Sequence, residues 1–376
     1  EKYQRFKPGI RFKYVYYYDI LPGDSMLFKK FPGKSLSQIA GLVAKGYRVD
    51  PAIFKKPGEI RKTADLHTED NQIVMQLRYK GRTTFLRTFP GDEGFWPDEQ
   101  NVNAAFKQLL DAPLPKVYFV VGELERSIYK KGEREYFKHT IAKEKHGSLI
   151  NLGFKVDTIN LAMRDVPADA DVVVLADPKK ELLPGVLGKL RNYIGEGGNM
   201  LVLGKPGKQY VLNPLLAPAG VRLMEGQLVA PTYNESPDKV KTYFTPASFD
   251  LAEESTFRKY KYLWSNNVHK DSLKIVLGGV TGLLHTNNTG FAAVPLLATC
   301  PGEAWLKAGR LKVDSTAPVF SPREGDIREA SFPVGLQLSR KIKGKEQRII
   351  VCGDADLASN LRLVGDFVSC IYSWLN

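Results

Sequence analysis

From residue 116 onward, short continuous apolar runs alternate with amphipathic segments, and this rhythm limits the fold more than any other feature. The runs are KVYFVVG at 116–122, DVVVLA at 171–176, NMLVLG at 199–204 and RIIVCG at 348–353. A strand apolar at every position must be covered on both faces, which is how parallel strands sit between two helical layers. Between the runs, residues 182–194 carry Leu183, Val186, Leu187, Leu190 and Ile194 at helical spacing, and Gly195, Gly197 and Gly198 stop that helix. Residues 134–146 read as a further helix, 154–161 as a strand, and 361–375 as a closing helix with Val364, Phe367, Val368, Ile371, Trp374 and Leu375 on one face. The pattern predicts an α/β domain with a doubly wound, mostly parallel sheet.

The preceding residues follow another pattern. Residues 10–19 (IRFKYVYYYD) are β-branched and aromatic, as strands are; 35–46 have helical spacing, with Ser35 or Ser37 as cap; 69–89 read as a hairpin turning at Lys80-Gly81-Arg82. A helix over 98–110 ends in the Pro-rich break at 111–115. The expected division is therefore a smaller α+β domain over 1–112 and an α/β domain over 113–376, with an irregular insertion around 225–290 containing a strand near 274–279.

Composition excludes several classes. At 43% hydrophobic and 25% charged residues the chain has material for a core, and it is neither collagen-like, coiled-coil nor disordered. Its longest uncharged apolar stretch, 290–300, is about half the ~20 residues of a membrane helix. The chain opens on Glu1 without a charged-then-apolar leader, as expected of an excised or processed segment. The formal charge is +13, of which 1–112 hold +6 (19 Lys and Arg against 13 Asp and Glu) and the rest +7. Such an excess can attract anionic lipid, nucleic acid or an acidic partner, or it can be a solvated surface.

Chemical motifs are sparse. The run 199–204 leads into Lys205-Pro206-Gly207 with no nucleophile, and Cys352 lies within a strand. Gly195-Glu196-Gly197-Gly198 ends a helix where a phosphate cradle would have to begin one, and no P-loop is present. Cys300, Cys352 and Cys370 lack metal or redox spacing and are expected to be buried thiols, with one disulfide the alternative in an oxidising compartment. His67, His139, His146, His269 and His285 are scattered and read as surface or loop residues. Basic–aromatic mixing at 11–18 and 257–264 does not match the RNA-binding strand pattern, so no nucleic acid is expected; neither a cofactor nor a metal is.

Acidic pairs follow two of the strands: Glu123 and Glu125 after 116–122, and Asp354 and Asp356 after 348–353. Open α/β sheets bind ligands beyond the carboxyl ends of their strands. Two readings stay open. The pairs hold a metal or a sugar hydroxyl, or, as the lack of a nearby His to complete a metal set favours, Asp356 caps the last helix and Glu125 caps or pairs locally.

The order of motifs then resembles a family. KVYFVVGELE at 116–125 is followed by VPADADVVVLADPKKELLPGVLGKLRNYIGEGGNMLVLGKPG at 166–207. LNPLLAPAGVRLMEGQLV at 212–229, VPLLATC at 294–300 and RIIVCGDADLASN at 348–360 complete the series. Together these resemble the gliding-motility (GldG-type) auxiliary subunits of bacterial ABC transporters, over most of 98–376. The family's Gly-His-Gly-Glu falls on Gly122, Glu123, Leu124 and Glu125, so its His and second Gly are replaced.

The resemblance implies a larger domain like a class I glutamine amidotransferase without its catalytic Cys and His. It also implies a thioredoxin-like first domain without redox cysteines, whose first helix ends within 1–9. The location implied is the periplasmic face of the inner membrane, with transmembrane helices flanking this segment. An ABC ATPase and a permease would be the partners. The function expected is a non-catalytic scaffold that binds other proteins or an envelope ligand through the strand-end crevice and the basic N-terminal domain, with Glu123, Glu125, Lys205, Asp354 and Asp356 as candidate binding residues of the crevice. The alternative is a carbohydrate-binding or carbohydrate-active hydrolase using the paired carboxylates, which requires groups ~5–9.5 Å apart in an open cleft.

Overall fold

A computed structural model describes the chain except for residues 1–3, 6, 71, 93, 232–234, 252–260, 264, 267–272, 310, 312–316 and 363–364. The chain forms two compact units, 1–88 and 89–376. This division lies upstream of the expected 112/113. The helix Glu99–Leu109 belongs with the larger unit, where Asn101 Nδ2 donates to the carbonyls of His146 and Asn151, both at 3.1 Å.

The smaller unit holds the helices Met26–Lys30, Leu36–Gly46 and Pro57–Thr63 and the hairpin β1 (Val74–Tyr79) and β2 (Arg82–Arg87). Ser35 caps the second helix through a reciprocal pair with Gln38, which fixes its start as the sequence predicts. The hairpin register pairs Tyr79 with Arg82 across Lys80 and Gly81. The expected strand over 10–19 is not a ladder strand: its pairing among described residues is one isolated bridge, Tyr17 to Lys55. Aromatic, β-branched composition favours extended backbone, but a strand needs a neighbour along its length.

The larger unit is built on a nine-stranded sheet. Its strands are β3 (Lys116–Val120), β4 (Lys155–Ile159), β5 (Val172–Ala176), β6 (Asn199–Leu203), β9 (Lys239–Phe244), β10 (Lys274–Gly278), β12 (Ala292–Thr299), β14 (Pro333–Ile342) and β15 (Lys345–Cys352). Two small ribbons use β7 (Val221–Leu223) with β11 (Leu283–His285), and β8 (Gln227–Val229) with β13 (Trp305–Lys307). The order across the large sheet is β10-β9-β12-β14-β15-β6-β5-β3-β4.

Pairings from β4 to β15 are parallel and those from β15 to β10 antiparallel, so the sheet is mixed rather than mostly parallel. The described part of 225–290 is not a separate insertion, since it supplies β9 and β10 to this sheet.

Each parallel strand feeds two cores. Val172, Val174 and Ala176 join Phe119, Leu201 and Leu203 on the face covered by the helix Gly365–Leu375, through Phe367, Ile371 and Tyr372. Val173 and Leu175 join Met200, Val202, Ile349 and Val351 on the other face. There they meet the helix Pro184–Gly195 through Val186, Leu190 and Ile194, and the helix Gln209–Leu216 through Leu212 and Leu215. Two helix-covered faces explain why these strands are apolar at every position.

The helix expected over 134–146 shrinks to Phe137–Thr140. Asn151 Nδ2 takes up the carbonyls of Ala142, Lys143 and Lys145, which breaks the helical ladder there. The closing helix forms as Gly365–Leu375, while Val364 lies outside the described residues.

His139 corrects the expectation of surface histidines. It is 2% exposed, stacked on Tyr372, with Nε2 3.3 Å from the Tyr372 hydroxyl. His67 and His146 are half-buried and lie 3.3 Å from Asp19 and Asp92, and His269 is outside the described residues. Burial pushes the His139 imidazole down to about 3. Its folded value lies below the unfolded ~6.5, so the unfolded chain takes up a proton first as pH falls. The stability of the larger unit should therefore drop by about 2 kcal/mol from this group between pH 6.5 and 5. Urea melts of wild type and His139→Phe across that range check it, since the variant's profile should lack this component.

Candidate functional site

In-register parallel strands bring the residues that follow each of them to one edge of the sheet. After β5, Asp177 is fully buried with φ 51°, and its N–H donates to Leu203 O at 2.8 Å. After β6 comes Lys205; after β15 come Asp354 and Asp356. The loop after β3 returns Arg126 to the same place, its N–H donating to Ala176 O at 3.1 Å.

These residues form a buried charge cluster. Lys205 Nζ donates to Asp354 Oδ1 at 2.8 Å, Asp356 Oδ2 at 2.9 Å, and the carbonyls of Gly278 and Gly279 at 2.9 and 3.0 Å. Arg126 Nη2 lies 2.7 Å from Asp177 and 3.0 Å from Asp356, and its Nη1 donates to Arg134 O at 2.6 Å. Neither Nη2 contact has good hydrogen-bond geometry, so the attraction is mainly Coulombic. Lys179 pairs with Asp177 at the rim, and Arg362 stands 3.6 Å from Asp354. Asp354 is 1% exposed and Arg126 4%.

The protonation tendencies follow the surroundings. Burial raises Asp354 above the usual carboxylate range even though Lys205 opposes it. Burial also acts upward on Asp356, but Lys205 and Arg126 together hold it low. For Arg126, burial works against the charge and Asp177 and Asp356 more than compensate. Burial, and then Asp354, pushes the Cys352 thiol up to about 12, far from a neutral-pH nucleophile. All three cysteines are buried.

Of the sequence candidates, the structure brings Lys205, Asp354 and Asp356 together. Asp356 does not cap the last helix; Asp354 caps the short turn Ala355–Ala358 by accepting from Asp356 N–H at 2.8 Å. Glu125 folds back within its own loop, where Oε2 accepts from Glu123 N–H at 2.8 Å, and burial raises its carboxyl. The Glu123 carbonyl in turn accepts from Lys179 N–H at 2.8 Å, fastening the β3 and β5 loops together. Charge reversal at Glu125 therefore disturbs a loop as well as a surface. The basic–aromatic run 257–264 lies mostly outside the described residues.

The closing GDADLASN run has a structural use for several of its members. A Cβ on Gly353 would meet Thr281 O at 2.1 Å, and the two aspartates hold Lys205. Asn360 accepts from Lys138 N–H at 2.7 Å and donates to Gly132 O at 2.8 Å, while Tyr136 donates to Ala355 O at 2.7 Å.

Leu124, where the resembled family has its second glycine, is 62% exposed with φ 60°. A left-handed conformation costs a non-glycine residue about 1–2 kcal/mol, partly offset by glycine's larger unfolded-state entropy. Leu124→Gly should thus stabilise the larger unit by up to about 1 kcal/mol. A lowered melting temperature would show the loop is not strained.

Asp177, Arg126, Asp354 and Asp356 of the cluster are all buried at the strand ends. An open groove of about 570 Å³ lies elsewhere, lined by Gln209, Tyr210, Asn213, Arg222 and Glu225 among others. Among the described residues, no group of three His, Cys, Asp or Glu is placed to hold a metal ion, and no helix is long and apolar enough to cross a membrane.

The fold and this edge define an α/β protein with a mixed sheet and an internally neutralised strand-end cluster. The family described as an ABC-type uncharacterized transport system matches residues 115–366, and the chain belongs to it as an auxiliary component. No curated protein matches the chain. Among solved structures, the mmIFT52 N-terminal domain is similar over 69% of this chain and 96% of its own, at 13% identity and TM-score 0.45. A putative ThuA-like protein from Parabacteroides merdae is similar over 69% and 88%, at 9% identity and TM-score 0.35.

Proposed function

We propose that the chain is a non-catalytic scaffold within its transport system, working by contact with an ABC ATPase and a permease. The observation that carries this reading is the ion pairing of the strand-end carboxylates. Asp354 and Asp356 share the Lys205 ammonium, and Asp356 also faces Arg126. A general acid or base must be free to meet substrate in an open cleft, and these groups are turned inward and neutralised. That pairing counts equally against the carbohydrate hydrolase reading.

The scaffold would correspond to an amidotransferase-like domain that has exchanged its nucleophile for a structural cluster, preceded by a thioredoxin-like unit. Helices flanking this segment would hold it at the periplasmic face of the inner membrane. A link to gliding motility belongs to the same proposal.

The test is recovery of the protein from gently solubilised membranes. Near-stoichiometric ATPase and permease subunits are the expected result. Their absence, together with turnover of a glycan by the purified chain, would overturn the reading.

A further inference from the structure

The division at 88/89 redistributes the charge. Residues 1–88 hold 18 Lys and Arg against 8 Asp and Glu, a net of +10, leaving +3 for residues 89–376. Two of those eight acids are already committed: Asp19 to Arg61 at 2.6 Å and Glu69 to Arg87 at 2.5 Å.

Within this basic unit, the helix Met26–Lys30 buries none of its residues. Five residues are far too few to hold a helix in water by propensity, and helices in proteins depend on packing. Here the holding comes from the ends. Leu21-Pro22-Gly23-Asp24 and Phe31-Pro32-Gly33-Lys34 are matching turns with Gly23 at φ 82° and Gly33 at φ 73°. They close through Asp24 N–H to Leu21 O at 3.1 Å and Lys34 N–H to Phe31 O at 3.3 Å. Asp24 Oδ1 also accepts from Met26 N–H at 3.0 Å. The framed tip presents Met26, 77% exposed, and Phe28, 39% exposed, beside exposed Lys29, Lys30 and Lys34.

We propose that residues 21–34 are a docking tip for an anionic phospholipid surface, with Met26 and Phe28 entering the acyl boundary while the lysines meet headgroup phosphates. Charge complementarity selects the partner's sign, and aliphatic and aromatic side chains held out between lysines select a bilayer over a sugar-phosphate chain. Two Pro-Gly turns pre-form the tip, so little ordering entropy is lost on contact. The inference goes beyond the scaffold reading and is tested without any partner subunit.

The measurement is co-sedimentation of the whole chain with phosphatidylcholine vesicles, with and without phosphatidylglycerol. Binding is expected only with phosphatidylglycerol, weakening with salt. Lys29→Gln, Lys30→Gln and Lys34→Gln combined should lower it about 100-fold, at about 1 kcal/mol per lysine. Met26→Ser with Phe28→Ser should lower it about tenfold or more. Lys341→Gln, Lys343→Gln and Lys345→Gln, exposed residues of the larger unit, remove the same charge and should change it less than about twofold if the tip is local. No binding to phosphatidylglycerol vesicles overturns the proposal, as do equal losses in the two lysine triples. DNA binding that needs the tip lysines, with vesicle binding indifferent to Met26 and Phe28, overturns it in favour of a polyanion site.

Discussion

Lys205→Met is expected to destabilise the larger unit by about 3–5 kcal/mol, the usual cost of removing one partner from a buried ion pair. The ammonium sits among four oxygens at 2.8–3.0 Å, two carboxylate and two carbonyl. Methionine keeps the stem's volume and removes the charge, leaving Asp354 and Asp356 as buried anions with less to compensate them.

The loss has a distinctive pH signature. Asp354 already has a raised carboxyl, and without Lys205 it rises further, so the variant folds best where that group is protonated. Its deficit against wild type should shrink as pH falls from 7 toward 5, and adding Asp354→Asn should recover part of it at pH 7. Urea melts of the two single variants and the double give the coupling directly. A deficit below about 1 kcal/mol would mean that water reaches the cage and the pairing is a surface effect.

Gly353→Ala should cost about 3 kcal/mol, the upper end for overpacking, because the obstruction is backbone. The new methyl would lie 2.1 Å from Thr281 O, and the two strands of chain are tied by Thr281 N–H donating to Gly353 O at 3.2 Å. Moving the 278–282 segment away would also withdraw the Gly278 and Gly279 carbonyls from Lys205. Gly188→Ala, in the helix Pro184–Gly195 with open space around it, is the matched control and should gain about 0.5–1 kcal/mol. Thermal melts of both variants decide the point; equal melting temperatures would show that the close approach relaxes freely.

The sequence exposed the half of the fold whose residues obey one simple constraint. Strands β3, β5, β6 and β15 are buried on both faces, and their uninterrupted apolar runs say so. The antiparallel half was harder to read. β12 carries Pro295 within its apolar stretch, a feature that usually argues against a central strand, and accommodates it at a register shift of the ladder.

The site was half legible for a similar reason. Lys205, Asp354 and Asp356 stand within four residues of a buried strand's end, where a charge is conspicuous. Asp177 obeys the same rule after Ala176 and would have been found by it. Arg126 escapes it, because a loop containing the left-handed Leu124 must turn back before its guanidinium reaches the cluster.

β15 is the middle strand of the nine and the last of them in chain order. Until it arrives, β6 and β14 have no common neighbour, and the parallel and antiparallel halves wait as two partial sheets with open inner edges. The cations Arg126 and Lys205 are made long before Asp354 and Asp356. Assembly of the sheet is therefore gated by its final strand: the seam strand and its acids dock together, at high contact order, in a late and slow step. A nascent chain halted before residue 345 would display two unpaired strand edges to the holdases of its compartment.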